Sequence, residues 1–241
     1  MRIDEIDMVL VHRVFRNELH RADGLVSGVA AGDTTRAKVV GDHLEFIVAA
    51  LHHHHAAEDE LIWPKLHSRA PTRVADVTRM ENQHRVIAED VARVQAIVGS
   101  WVNSADDQLT EELVSAIQKL SASVDDHLTD EERSVLPVIT DHITAVEWQE
   151  ATKRGAEFLS AKNLRLGLVL AGYVLDAGSR DERRRFMANV PLGKRLVARL
   201  FGKRALDAYQ TRFTEHPPST ASCLTKHPNP IDLNRSCAVR A

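Results

Sequence analysis

Four stretches of this chain each carry an apolar stripe at the three-to-four-residue spacing of a helix. Every stripe holds a histidine where that pattern reserves a core position. The first reads Met8, His12, Phe15, Leu19, and the second Leu44, Ile47, Leu51, His54, Glu58, Leu61. The third reads Met80, His84, Ile87, Val91, Val94, and the fourth Leu113, Ile117, Leu120, Val124, His127, Glu131. The stripes predict helices over about 4–30, 34–68, 72–101 and 108–140, with no strand-like alternation to compete. AGDTT is a turn with Asp33 or Thr34 as N-cap, Pro71 and Thr72 open the third helix, and the polar NSADD segment precedes the fourth. Pro64 and Pro137 fall near the ends of the second and fourth helices, where a bend or break is expected. Four long helices joined by short loops predict an all-α fold, an antiparallel up-down-up-down four-helix bundle.

The inward histidines and glutamates violate the rule that a bundle core is apolar. A buried carboxylate or imidazolium forfeits several kcal/mol of hydration unless it is paired or bound to a metal. One such residue is unremarkable, but four helices breaking the rule together call for one shared compensating charge, and a metal at the bundle centre supplies it. Imidazole nitrogen with carboxylate oxygen suits iron, manganese or zinc, whereas a thiolate site needs cysteine. Two carboxylates able to bridge, with at least four imidazoles, exceed the needs of one tetrahedral zinc, so two metals are the better count. The second and fourth stripes also match each other. HHAAEDELIWP from His54 lies over HLTDEERSVLP from His127, with Glu four residues after His (Glu58, Glu131) and Pro ten after it (Pro64, Pro137). That register selects Glu131, on the face of His127, over Glu132, which is rotated about 100° further.

With His12 on the first helix, HHAAEDELIWP on the second, QHRVI around His84 on the third and HLTDEERSVLP on the fourth, residues 4–140 resemble the hemerythrin-like, or HHE cation-binding, family. The resemblance implies a non-haem di-iron centre, oxo- or hydroxo-bridged, with an open position on one iron. Zinc and manganese rank behind iron. Hemerythrins proper use five histidines and two carboxylates, with His-x-x-x-His on the third helix. Here the second position of that pair is Ala88, and the fourth-helix carboxylate stands four residues after its histidine instead of five. Iron-sensing relatives ligate through the residue directly after the second-helix histidine, which makes His55 the replacement. The resemblance therefore implies His12, His54, His55, Glu58, His84, His127 and Glu131 as the metal ligands. The expected function is binding or reaction of a small oxidant (O2, NO or hydrogen peroxide), with peroxide consumption as its enzymatic form. The alternatives are an iron or oxygen sensor or store without turnover, and a structural metal site.

Of the remaining histidines, His52 and His53 are expected at the surface or flanking the site, and His43 at the bundle end. His20, His67, His142, His216 and His227 are expected to be surface residues. Asp59, Asp126 and Asp130 read as solvated acids, any one of which could orient a ligand imidazole. Met8, Phe15 and Trp63 read as packing that also walls the site.

Beyond the stripes, residues 142–214 predict a helical extension of three or four short helices punctuated by Gly172, Gly178 and Pro191. Residues 215–241 predict a disordered Pro/Ser/Thr/Asn tail. Charge divides the same way. Residues 1–141 hold 14 Lys and Arg against 25 Asp and Glu, and residues 142–241 hold 17 against 9, so the extension can dock on the acidic bundle. Its arginines alternate with Asp181 and Glu182, which argues against nucleic acid. No apolar run is long enough to span a membrane, and no secretory leader is apparent. The two cysteines, Cys223 and Cys237, are no disulfide framework, and a cytoplasmic location is expected.

Overall fold

A computed structural model of the chain describes residues 3–157 and 164–214. In chain order the bundle region comprises α1 (Ile6–Ser27), α2 (Thr34–Leu61), α3 (Trp63–Arg69), α4 (Val74–Trp101), α5 (Asp107–Ser134) and α6 (Leu136–His142). A short 3-10 turn over Pro71–Arg73 leads into α4. The four long helices α1, α2, α4 and α5 pack as a ring, each against the next and α5 back against α1. No strand occurs among the described residues. Asp33 caps α2 by accepting from the Arg36 amide, and Asp106 caps α5 through the Leu109 amide.

The two prolines break their helices. Pro64 and Pro137 stand in the first turns of the short helices α3 and α6, where a missing N–H is tolerated. Just before each break, Ile62 donates to the Glu58 carbonyl at 2.8 Å and Val135 to the Glu131 carbonyl at 2.9 Å. Both inward glutamates thus sit in the last turn of a long helix, at matching places in the two halves of the bundle.

Apolar packing falls into two blocks. The larger fills the bundle around Phe15, Leu51, Ile87 and Val124 and continues under the C-terminal helices. The smaller gathers Met8, Ile62, Trp63, Met80 and Val135 at one end. On each helix the stripe histidine lies between a residue of one block and a residue of the other. The polar groups therefore form a layer across the core.

The C-terminal extension consists of α7 (Ala145–Gly155), α8 (Leu164–Ala177), α9 (Arg180–Asn189) and α10 (Leu192–Thr214). α7 packs on α2, while α8 packs on α1 and α10. Gly178 and Pro191 lie in the connections, as the sequence suggests, but Gly172 lies inside α8. A Cβ there would stand 2.6 Å from the Gly202 carbonyl oxygen, so glycine is what lets α8 and α10 touch. The basic extension meets the acidic bundle at two pairs, Arg185 with Asp4 at 2.6 Å and Arg154 with Glu60 at 2.7 Å. In the reverse sense, Arg13 of α1 grips Glu182 and the Ala177 carbonyl. No helix among the described residues is long and apolar enough to cross a membrane. The tail 215–241, with both cysteines, His216 and His227, lies outside the described residues.

Candidate metal centre

The polar layer brings all seven predicted positions together. His55, Glu58, His84 and His127 each offer a ligand atom, and those atoms lie within 4.8 Å of one another. His12, His54 and Glu58 form a second such group. Glu58 belongs to both. Its Oε1 is 3.3 Å from His54 Nε2 and its Oε2 is 3.4 Å from His84 Nε2. Glu131 stands between the same two groups, with Oε2 3.4 Å from His12 Nε2 and 3.8 Å from His127 Nε2. His55 stacks face to face on His84 with ring centroids 4.1 Å apart, while Ala88 is exposed.

The outer ring nitrogens fix the tautomers. His12 Nδ1 contacts Glu132 Oε1 at 2.9 Å, His84 Nδ1 contacts Asp59 Oδ1 at 2.7 Å, and His127 Nδ1 contacts Gln83 Oε1 at 3.1 Å. A carboxylate or amide oxygen can only accept, so each Nδ1 carries a proton, and in the neutral ring Nε2 is the free acceptor. His84 Nε2 and His127 Nε2 then face each other at 3.1 Å. Two lone pairs at that distance repel unless a positive charge lies between them.

A proton is a poor substitute for that cation. Burial, then the neighbouring His84 and His12, holds the His127 imidazolium down to about pH 2. Burial leads in His54 and His55 as well, followed in each by nearby imidazoles, and lowers both well below the ordinary histidine range. Burial and then Glu131 push Glu58 well above the ordinary carboxylate range, and burial raises Glu131 too, against the pull of His12. Neither oxygen of Glu58 or Glu131 has a hydrogen bond, and His55 Nε2 also lacks one. Neither glutamate has a Lys or Arg ion-pair partner among the described residues. Buried acceptors normally find donors, so this donor set has the character of a divalent-cation site built from hard oxygen and imidazole.

Sequence reasoning missed part of the supporting layer. Glu132 and Gln83 went unremarked as partners of ligand imidazoles, although each is one residue from a stripe position. Asp59, one of three acids considered for such a role, fills it. Asp130 acts one step further out. It accepts from Gln83 Nε2 at 3.4 Å and is gripped by Arg79 at 2.6 Å, which holds its carboxyl down to about 2. Phe15 lies 5.4 Å from the His54 ring and Trp63 5.8 Å from the His84 ring. His43 is fully buried and paired with Glu18 and Tyr209, away from the cluster. His20 and His67 pair with Asp125 and Glu81.

Residues 7–139, more than half of the chain, match the hemerythrin HHE cation-binding domain. The chain belongs to the hemerythrin HHE cation-binding family. No curated protein and no solved structure gives a match. The matched span of this HHE protein runs from the start of α1 into α6 and contains all seven clustered residues.

Proposed function

We propose that this HHE protein holds two iron ions and binds or reacts with a small oxidant: O2, NO or hydrogen peroxide. The observation that carries the reading is the pair of donor groups that share Glu58. In this reading His55, His84 and His127 serve one iron, His12 and His54 the other, and Glu58 and Glu131 both. Two bridged irons supply paired electron changes and an exchangeable coordination position.

The chain's own residues do the rest. Glu132, Asp59 and Gln83 hold their imidazoles in the tautomer that presents Nε2 inward. Glu58 and Glu131, without competing donors, keep all four oxygens available. Met8, Phe15, Ile62 and Trp63 exclude water from the layer, which strengthens every electrostatic contact within it. The His12–His54 side carries one imidazole fewer than the other side, and His54 and Glu58 line a cavity. That half is therefore where an exchangeable position belongs.

Metal analysis of the purified chain, with an optical spectrum before and after peroxide, tests the proposal. Near two irons per chain and a spectrum that changes with oxidant support it. A fully folded chain without metal, or one colourless zinc per chain, overturns it. Peroxide loss with the wild type, absent in Glu58→Ala, assigns turnover. A spectral change without turnover assigns binding or sensing.

A further inference from the structure

Between the bundle and the C-terminal helices lies a cavity of about 570 Å³, well within the 300–1,000 Å³ range of small-molecule sites. Its inner end is formed by Phe15, Ala50, Ala57, Ile62 and the metal-centre groups His54 and Glu58. Its outer wall is α8 and α10, through Leu168, Ala171, Val174, Val197 and Ala198. Its mouth is marked by the exposed residues Leu164, Gly193 and Lys194.

The sequence of α8 states what the cavity wants. LRLGLVLAGYVLDA has apolar residues on every side, and a helix of that kind needs cover on every side. Val169, Gly172, Tyr173 and Val174 are buried, but Leu168, Leu170 and Ala171 border the cavity and are only partly covered. An apolar body completes that cover.

The few polar groups on the wall set the polarity of the occupant. Asp7 already accepts from Trp148 Nε1 at 3.0 Å and from Thr152 Oγ1 at 3.4 Å. Glu58 belongs to the metal centre. Both are acids toward the inner part of the cavity. Lys194, at the mouth, has no ion-pair partner among the described residues. Leu192, Leu196 and Leu200, more than half exposed, lie on another face of α10 and do not line the cavity. An anion is therefore favoured at the mouth and disfavoured further in. A protein segment fits poorly, because a helix about 10 Å across would fill this volume within two turns.

We propose that the cavity binds a single-chain amphiphile with an anionic head, such as a long-chain carboxylate. The head pairs with Lys194, and the chain lies along α8 toward Phe15 and His54. The inference concerns occupancy of the cavity and holds whatever the metal centre does.

Titration of the full chain as purified with dodecanoate, below its micelle concentration, tests it by calorimetry. Saturable one-to-one binding is expected, at least tenfold tighter than for dodecyltrimethylammonium. Lys194→Glu, a surface change, should erase or reverse that preference. Ala171→Trp, which fills the cavity, should weaken dodecanoate at least tenfold, with Ala198→Phe as the second filling variant if the first does not fold. Absence of saturable binding overturns the proposal, as does binding that both filling variants leave unchanged, which would be surface adsorption. A dimer that Val197→Asp dissociates and that excludes dodecanoate would assign the mouth to a second copy of the chain, and also overturns it.

Discussion

Helices α1 and α2 bury histidine and glutamate at two places, and the two places treat the same residue types differently. At one, Glu18 lies 3.2 Å from His43 Nε2 and 3.6 Å from Arg21 Nη1, while His43 Nδ1 meets the Tyr209 hydroxyl at 3.2 Å. Glu18 thus has an arginine as well as a histidine within ion-pair distance, although Glu18 Oε2 and His43 Nε2 make no hydrogen bond, and Tyr209 comes from the extension. At the other, Glu58 and Glu131 face five imidazoles, of which burial holds His54, His55 and His127 below the ordinary histidine range, with no Lys or Arg pairing either acid among the described residues. The first set carries its own cation, Arg21, and helps dock α10. The second is left open by the fold, and a buried polar network left open is worse than an apolar core unless something arrives to complete it. Balance of charge, more than residue identity, separates a structural histidine from a metal-site histidine in this chain.

The largest expected effect breaks that comparison directly. Glu58→Gln should reduce bound metal, measured by mass spectrometry, to less than half of the wild-type content, because one residue serves both donor groups. Glu18→Gln should leave metal content intact and cost roughly 1–3 kcal/mol of stability in chemical denaturation. Equal metal loss in both variants would mean that the two sets are not distinct.

Next comes removal of the metal. Chelation should lower the melting temperature of the wild type by on the order of 5–10 °C, since a ligand held at hundreds of times its dissociation constant adds several kcal/mol. The same metal-dependent increment should persist in Glu18→Gln. A wild type indifferent to chelation would show that the open set is balanced without a cation.

Smaller still is the effect of the outer partners. Gln83→Ala removes the acceptor for His127 Nδ1 and should weaken metal affinity about 10–100-fold, read by competition with a chromogenic chelator. Unchanged affinity would show that helix packing alone orients that ring.

The last effect leaves metal content untouched and concerns Asp7, a partly buried carboxyl near the site that has neutral donors only. Burial raises it from 3.8 to about 6, against the hydrogen bond from Trp148. A carboxyl whose folded value lies above its unfolded one contributes stability that is complete below pH 3.8 and lost as pH rises through about 6. Asp7→Asn should therefore be stabilising at pH 7, by about 3 kcal/mol, and close to neutral at pH 4. A variant with the same effect at both values would refute this assignment.

Much of this was legible in the chain. The stripe positions place a histidine between two apolar blocks on every bundle helix, and helix periodicity alone puts Glu131 inward and Glu132 beside it. Proline at the tenth residue after His54 and after His127 marks both helix breaks, because a ring without N–H ends a helix wherever it falls. The interior position of Gly172 was not legible. Only the approach of α10 at Gly202, thirty residues later in sequence, shows why a side chain is excluded there.

What the sequence determined by itself was the layer: which side chains face inward and at what level, since those follow from local periodicity. What only the tertiary structure decided was which inward groups are balanced. His43, expected at the bundle end, meets Glu18 and, from the extension, Tyr209. His55 looks peripheral on its own helix until it stacks on His84. Charge balance in a low-dielectric core depends on partners brought from distant helices, and no local pattern along one helix records which partners will arrive.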